Sequence, residues 1–563
     1  MRSHFCTADA DGNCRCARPA DRALIRPAPR QHLVTHFTAS GPLSHLRCVH
    51  WNRGALYDRC MHSTSPANAI IRAIVLLLSL AVAGDGLAEP LGPERAQRLL
   101  TRTGFAPSAP ELSVFAPLTQ VQAVDRLLAG VRTTASTPPP DWIEEPVIGP
   151  REFRTLSEER QKAERQRNLR QGLDLRRWWL AEMVATPSPL TERMTLFWHN
   201  HFVSAQPKVR WAQLMFRQNV LLRQHAVGNL RPLLHAIARD PAMVVYLDSA
   251  TSRRGRPNEN FAREVMELFT LGQGHYTELD IKESARAFTG FSLDPETLAF
   301  VYRPGFHDEG SKTVLGVTGR LTGDDVLDIL LAQPATAEFI AAKLWREFVS
   351  PTPDPARVGR IARRFRDSGY NIAAALREVL NQPEVVDGNE ELALVKSPVE
   401  LFVGLVRQTG GRIGNEAGAA AAVAAMGQNL FSAPNVRGWP GGEAWINTQT
   451  LLVRKQVIER ALASPTVAAR EARALMIGME EAPAGSNPRR RLEVAQLTAA
   501  YVDPAVILKA SGGLASERPL TVGEIERLSA ALMVVRPVAV PADGTLAFDA
   551  LRALLLDPAY QLK

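Results

Sequence analysis

RPNENFAREVMELFTLGQGHYTELDIKESARAFTGF, residues 256–291, settles the fold class. Phe261, Val265, Leu268 and Phe269 recur at three- and four-residue spacing, with Glu259, Asn260, Arg263, Glu264 and Glu267 in the opposite arc. Such spacing makes an amphipathic helix rather than a strand. Asn258 stands where an N-cap belongs and Gly272 where a helix ends, so the first helix is expected to run to Leu271. Thr277 and Asp280 give a capping-box-like start to a second helix, which carries Glu283 and Arg286 and ends at Gly290.

The same period extends in both directions. RTLSEERQKAERQRNLRQGLDLRRWWLAEMVA (154–185) is charged and periodic, and PLTERMTLFWHNHFV (189–203) offers Thr191 as a cap. Residues 325–349 and 355–385 place apolar side chains as core-packed helices require. Strand signals are few: the short VYRPGF and KTVLGVTGRLT segments suit a hairpin. LHAIARDPAM, LREVLNQPEV and LRALLLDPAY each stop a leucine-rich turn with x-Pro, which removes a donor and restricts its neighbour. No fixed period makes a solenoid of them. The expectation is a mainly α fold, an irregular multi-helix bundle with few short strands.

Segment boundaries follow from composition. Residues 89–132 read as N-terminal helices with a turn at TRTGFAPSAPEL, 133–150 as a Pro-rich linker, and 151–409 as a central helical domain. Residues 410–428, GGRIGNEAGAAAAVAAMGQ, read as an Ala/Gly connector with a weak helix. Residues 429–563 read as a C-terminal helical region containing a WPGG loop, with a further loop near 480–491.

Upstream, AIVLLLSLAVA (73–83) is too short to span a bilayer, for which about 20 residues are needed. It has the length of a signal-peptide core, preceded by Arg72 and followed by Gly86 and Ala88 at the −3 and −1 positions of a cleavage site. With no twin-Arg pair, the Sec route and a periplasmic or secreted destination are expected. Residues 61–88 are therefore assigned as signal peptide. Residues 1–60 lack helical or strand period and hold all five cysteines without a CxxC pair, as an over-called N-terminal extension ahead of Met61 would.

Removing residues 1–88 changes the charge argument. The whole chain carries +8, but the remainder has 56 Lys/Arg against 53 Asp/Glu, or +3. Nucleic acid is thus a poor choice of partner. No cysteine remains for a disulfide or thiol chemistry, and no transmembrane anchor is expected after cleavage.

Six histidines survive (His199, His201, His225, His235, His275 and His307), all within 109 residues. His199 and His201 in FWHNHF point about 200° apart on a helix, so an intact helix cannot turn both to one metal; a core role beside Phe197, Trp198 and Phe202 is the plainer reading. Asn260, Glu264 and Glu267 stand at i, i+4 and i+7, a ladder that could bind a cation or supply an acid and a base. Asn258 lies at the head of the same face. FHDEGSK gathers His307, Asp308 and Lys312 in a loop suited to a metal site, a proton relay or an anion. Trp439 and Trp445 flank Gly441 and Gly442; their flat faces could stack on a sugar, although plugging the loop onto the core is the simpler role.

RMTLFWHNHFV, RDPAMVVYLD, NENFAREVMELFTLGQGHYTELDI, ARAFTGF, FHDEGSKTVLG, KSPVELFVGL and NVRGWPGGEAWI, in this order, resemble the bacterial family called domain of unknown function 1800. The resemblance spans roughly residues 95–563. It implies export and a helical fold. It also implies a partner, since genes of this family commonly lie beside one for a secreted, sulfatase-like protein of the domain of unknown function 1501 family. It transfers no catalytic residues.

Two readings follow. In the first, the protein binds or assembles with that sulfatase-like partner through the charged NENFARE helix. In the second, it is a periplasmic metal-assisted hydrolase. There His199, His201, His307 and Asp308 would hold a divalent metal, Glu264, Glu267 and Lys312 would do the chemistry, and Asn258, Asn260, Trp439 and Trp445 would hold substrate.

Overall fold

Helices begin where the sequence offers a cap. In the computed structural model, which describes residues 89–387, 393–463 and 499–563, α1 (Gly92–Thr103), α2 (Ala109–Phe115) and α3 (Gln120–Ala129) follow in quick succession. Ser108 with Glu111, and Thr119 with Gln122, form capping boxes that start the second and third. The segments read as N-terminal extension (1–60), signal peptide (61–88) and loop (480–491) lie outside the described residues. Among the described residues no helix is long and apolar enough to cross a membrane.

The chain continues through α4 (Glu158–Ala185), α5 (Pro189–His201), α6 (Ala212–Gln224) and α7 (Leu230–Ala238). Next come α8 (Glu259–Glu264), α9 (Glu278–Ala287), α10 (Gly323–Ala332), α11 (Pro334–Phe348), α12 (Pro355–Asp367) and α13 (Ile372–Leu380). The last long helices are α14 (Pro398–Gln408), α15 (Glu416–Ala425), α16 (Thr448–Leu462), α17 (Val522–Leu532) and α18 (Ala547–Leu556). The fold is mainly α.

Among the described residues, strands occur only as two-stranded ribbons. β1 (Phe291–Leu293) pairs with β2 (Phe300–Tyr302), β3 (Lys312–Val314) with β4 (Val317–Gly319), and β5 (Arg412–Ile413) with β6 (Ala500–Tyr501), all antiparallel. VYRPGF and KTVLGVTGRLT therefore belong to two different ribbons. KTVLGVTG closes on itself because Leu315 and Gly316 both take positive φ, as a two-residue I′ turn needs, and FVY reaches back to FSL instead.

Leu87–Lys563 forms one unit with two large hydrophobic cores. One gathers Leu99, Trp198, Leu234, Phe269, Leu330, Leu344 and Phe365; the other gathers Leu175, Trp179, Phe402, Ile458, Leu528 and Leu551. The cores do not follow the segments read from composition, because α4 packs with the C-terminal helices. Two readings are corrected here. The Pro-rich stretch at 133–150 does not separate domains: the backbone N–H groups of Ser136 and Thr137 donate to Glu182 of α4, and the Trp211 indole donates to Ile148 O. Residues 410–428 are not a free connector either. Asn415 caps α15, whose Ala419, Ala422 and Val423 are buried against α4.

α5 sits at the seam. Trp198 and Phe202 enter the first core and Leu196 the second. Two neighbouring buried charges pin it. Glu192 takes a two-pronged contact from Arg223 of α6 (2.6 and 2.9 Å) and a hydrogen bond from the Trp179 indole (2.7 Å). Arg193 lies 2.6 Å from Glu400 of α14, which also holds the Lys563 ammonium. These pairs orient the helix whose C-terminal turn builds the site described next.

Candidate functional site

The last turn of α5 grips a loop more than two hundred residues away. Asn200 Oδ1 accepts from the backbone N–H of Trp439 (2.7 Å), and its Nδ2 donates to the carbonyl of the same residue (3.3 Å). Gly438 stands directly over that amide with φ +83, and a Cβ there would meet Asn200 Oδ1 at 2.2 Å and Asn200 O at 2.6 Å. Only glycine fits both the angle and the approach. Trp439, thus seated, is buried with Val203, Ala433 and Trp445 in a third, small cluster that also touches Tyr246.

The two histidines diverge as i and i+2 on a helix must. His199 lies under the loop, with its ring centroid 5.3 Å from Trp179, 5.2 Å from Phe431 and 5.8 Å from Trp439. Burial lowers its pKa to about 4, so it is neutral. His201 turns toward the segment after α8. Its Nε2 faces Phe269 O at 3.1 Å and must donate, which leaves Nδ1 to accept from Lys343 Nζ at 2.9 Å. Burial, then the nearby Lys343 charge, lowers the imidazole well below its ordinary value. Burial, aided by Arg346, pulls Lys343 down to about 8.

α8 begins as its sequence indicates, with Asn258 Oδ1 accepting from Asn260 N (2.9 Å), and Gly272 follows at φ +80. Between them the regular helix stops at Glu264, and Val265–Thr270 is a π-helical turn, with the Thr270 hydroxyl donating to Val265 O. Such turns widen the helix and re-aim side chains, often at functional sites. Here the turn carries Glu267 into a polar cluster: Arg437 of the gripped loop reaches its Oε1 (2.9 Å), Gln273 donates to the same oxygen (2.7 Å), and the Tyr276 hydroxyl donates to Oε2 (3.1 Å). Glu264 stands beside it. Partial burial, then repulsion from Glu267, raises the Glu264 carboxyl above its ordinary value. Tyr246 is raised by burial and then by the nearby charge of Glu264. Asn260 leaves the expected carboxylate ladder to donate to Leu247 O (3.3 Å).

The residues proposed for one metal site do not converge. His307 is buried, with Nδ1 donating to Thr289 O (2.9 Å). Asp308 is locked to Arg286, which holds its carboxyl down at about 2. Lys312, also buried, spends its ammonium on the carbonyls of Asp308 and Gly310. His307, Asp308 and Lys312 thus fasten a loop. Among the described residues, no three His, Cys, Asp or Glu side chains stand together as a metal ion requires. Trp439 and Trp445 are buried, at 5% and 7% exposure, and present no stacking face. Asn258 is occupied as a helix cap, with its Nδ2 donating to Asp248 O.

What is brought together is Asn200, Tyr246, Glu264, Glu267, Tyr276 and Arg437. Only the two glutamates stand out in the sequence. Asn200 hides between two more conspicuous histidines, and Arg437 gains meaning only through its distant contact. The face is acidic: Glu259, Glu264, Glu267 and Glu278 are met by Arg263 and Arg437.

The helix that carries Tyr246, Pro241–Tyr246, is capped by Asp240, which accepts from Met243 N (2.9 Å) and from Gln218 (2.7 Å). Burial raises this carboxyl to about 7, despite those hydrogen bonds. Between pH 4 and 7 the folded state therefore holds a proton that the unfolded state has lost, and stability falls as pH rises through this window. Asp240→Asn keeps an acceptor and removes the titration. In urea melts it is expected to gain at least about 1 kcal/mol on the parent between pH 5 and pH 8, by the linkage relation.

The model of a family described as "Protein of unknown function (DUF1800)" matches residues 98–562. No curated protein and no solved structure matches the chain.

Proposed function

Because the chain belongs to the DUF1800 family, whose description gives no activity, we propose that it is an exported binding or assembly protein whose acidic face around Glu264 and Glu267 docks a basic segment of a secreted, sulfatase-like protein of the domain of unknown function 1501 type. One observation carries this reading: FWHNHF, NENFAREVMELF and NVRGWPGG, spread between residues 197 and 442, meet in space through the Asn200–Trp439 grip and the Arg437–Glu267 pair. That face offers carboxylates and phenols, a chemistry that receives ammonium and guanidinium groups. The hydrolase reading keeps one support, the raised carboxyl of Glu264 beside Glu267, but the metal ligands it requires lie apart.

The test is co-purification with a sulfatase-like protein of the domain of unknown function 1501 type from the same genome, followed by titration at two salt concentrations. Glu264→Gln/Glu267→Gln is expected to weaken the complex at least tenfold, and added salt to weaken the parent complex in the same direction. An unaltered affinity in the double variant rejects this face as the docking site. Stoichiometric metal in the parent, lost in the double variant, would transfer the assignment to the hydrolase.

A further inference from the structure

A groove of about 720 Å3 lies away from the Glu264 face, between α1, α2, the Pro504–Ala510 helix and α17. Its volume is that of a small-molecule site. The wall is largely apolar, with Leu91, Leu112, Ile507 and Ala530 among its residues. Five uncharged polar side chains interrupt it; Ser108, Ser113 and Gln408 are hydrogen-bonded within the protein, whereas Gln97 and Ser511, each more than nine-tenths buried, stand apart from them. Neither the Gln97 Nε2 nor the Ser511 Oγ has a hydrogen-bond partner. A buried amide or hydroxyl without a partner costs about 1–3 kcal/mol, so two such groups on an apolar wall are unexpected unless something else meets them. Of the three charged residues on the wall, Glu94, Arg95 and Arg527, two are cations. Arg95 is held by Asp387, whereas the recorded ion pair of Arg527 is a long one, 4.0 Å to a Glu524 that Arg518 already engages.

We propose that this groove binds an amphipathic monoanion of the fatty-acid type, with its acyl chain along the apolar wall and its carboxylate at the polar end. The carboxylate accepts from the Gln97 amide and the Ser511 hydroxyl and faces Arg527. An uncharged hydrocarbon would leave both orphaned groups unmet. A cationic head would meet Arg527 unfavourably. The inference is independent of the docking face and stands or falls without it.

Titration of the purified protein with cis-parinaric acid, a fluorescent long-chain carboxylic acid, tests it. Saturable binding of one equivalent is expected. Ala530→Trp, which fills the groove, is expected to abolish it, and Arg527→Glu, at an exposed position, to weaken it at least fivefold. Gln97→Leu is expected to weaken the acid more than its methyl ester. Absence of saturable binding overturns the proposal. So does an Ala530→Trp variant that binds like the parent, or a methyl ester held as tightly as the acid. A dimer that Ala530→Trp dissociates, with no fatty-acid binding, would give the groove to a second copy of the chain. Circular dichroism of the Arg527→Glu variant confirms that any loss is not a failure to fold.

Discussion

Glu400→Ala is expected to destabilise the protein by about 3–5 kcal/mol, the range for removing one partner of a buried ion pair. Glu400 is the anion at the centre of a buried group of cations. Arg193 contacts it at 2.6 Å, Lys563 engages it directly, and Lys396 and Arg454 lie close enough for its charge to act on both. All five side chains are buried. Burial alone would raise the Glu400 carboxyl, but Arg193 and Lys563 outweigh that and hold it below its ordinary value, so it stays ionised in the folded protein. Without it the cations keep only the partly exposed Glu347, on the Arg193 side, in a medium that solvates them poorly. The same group closes the C-terminal end of the chain, because Leu394 and Lys563 exchange backbone hydrogen bonds and Lys396 donates to Tyr560 O.

Two controls separate this account from a simple cavity effect. Glu400→Gln retains the shape and should still lose most of the stability. The deficit should also narrow as pH rises. Burial already brings Lys396 down to about 7, and losing Glu400 lowers it and Lys563 further. Between such a folded pKa and the unfolded value of 10.5 the unfolded state binds more protons, so stability rises with pH. Above pH 7 the parent gains the same slope from Lys396, so the narrowing falls below its folded pKa, and a deficit that is flat from pH 5 to 7 would show that charge is not its cause.

How much of this was legible beforehand depended on sequence distance. The cap at Asn258, the stop at Gly272 and the Thr277–Asp280 box are local and could be read directly, since two are side chains meeting backbone within two or three residues and the third is a glycine at positive φ. The π turn could not, because a 3.6-residue wheel continues smoothly through 265–270 and nothing in VMELFT announces the extra residue. The helix of α15 is legible in the sequence, but its packing is not, for the opposite reason. A helix of alanines has no apolar–polar contrast, yet small side chains are what permit its close packing on α4. The clustering of histidines along the chain suggested a centre that space does not provide. His199, His201 and His307 each face a different neighbour. Conversely, the Asn200 grip spans 239 positions and leaves no periodic trace.

That grip is also where a single methyl group should do most to function. In Gly438→Ala the new Cβ would fall 2.2 Å from Asn200 Oδ1 and 2.6 Å from Asn200 O, with the backbone at φ +83. The amide can rotate away, but the carbonyl is fixed in the last turn of α5, so the loop must lift. Left-handed backbone at a non-glycine residue costs about 1–2 kcal/mol, and overpacking typically adds about 1–3 kcal/mol. Together these match or exceed what two hydrogen bonds contribute, at about 1 kcal/mol each. Lifting the loop withdraws Arg437 from Glu267 and Trp439 from His199, leaving only Arg263 to offset the repulsion between the two glutamates. The expected result is trypsin cleavage after Arg437 at least tenfold faster than in the parent, with a comparable loss of partner affinity. Asn200→Ala removes one of the two clashes and both hydrogen bonds, so adding it to Gly438→Ala should cost less than the sum of the single effects. If Gly438→Ala cleaves and binds like the parent, the loop is held by something other than Asn200, and the face built on that contact loses its support.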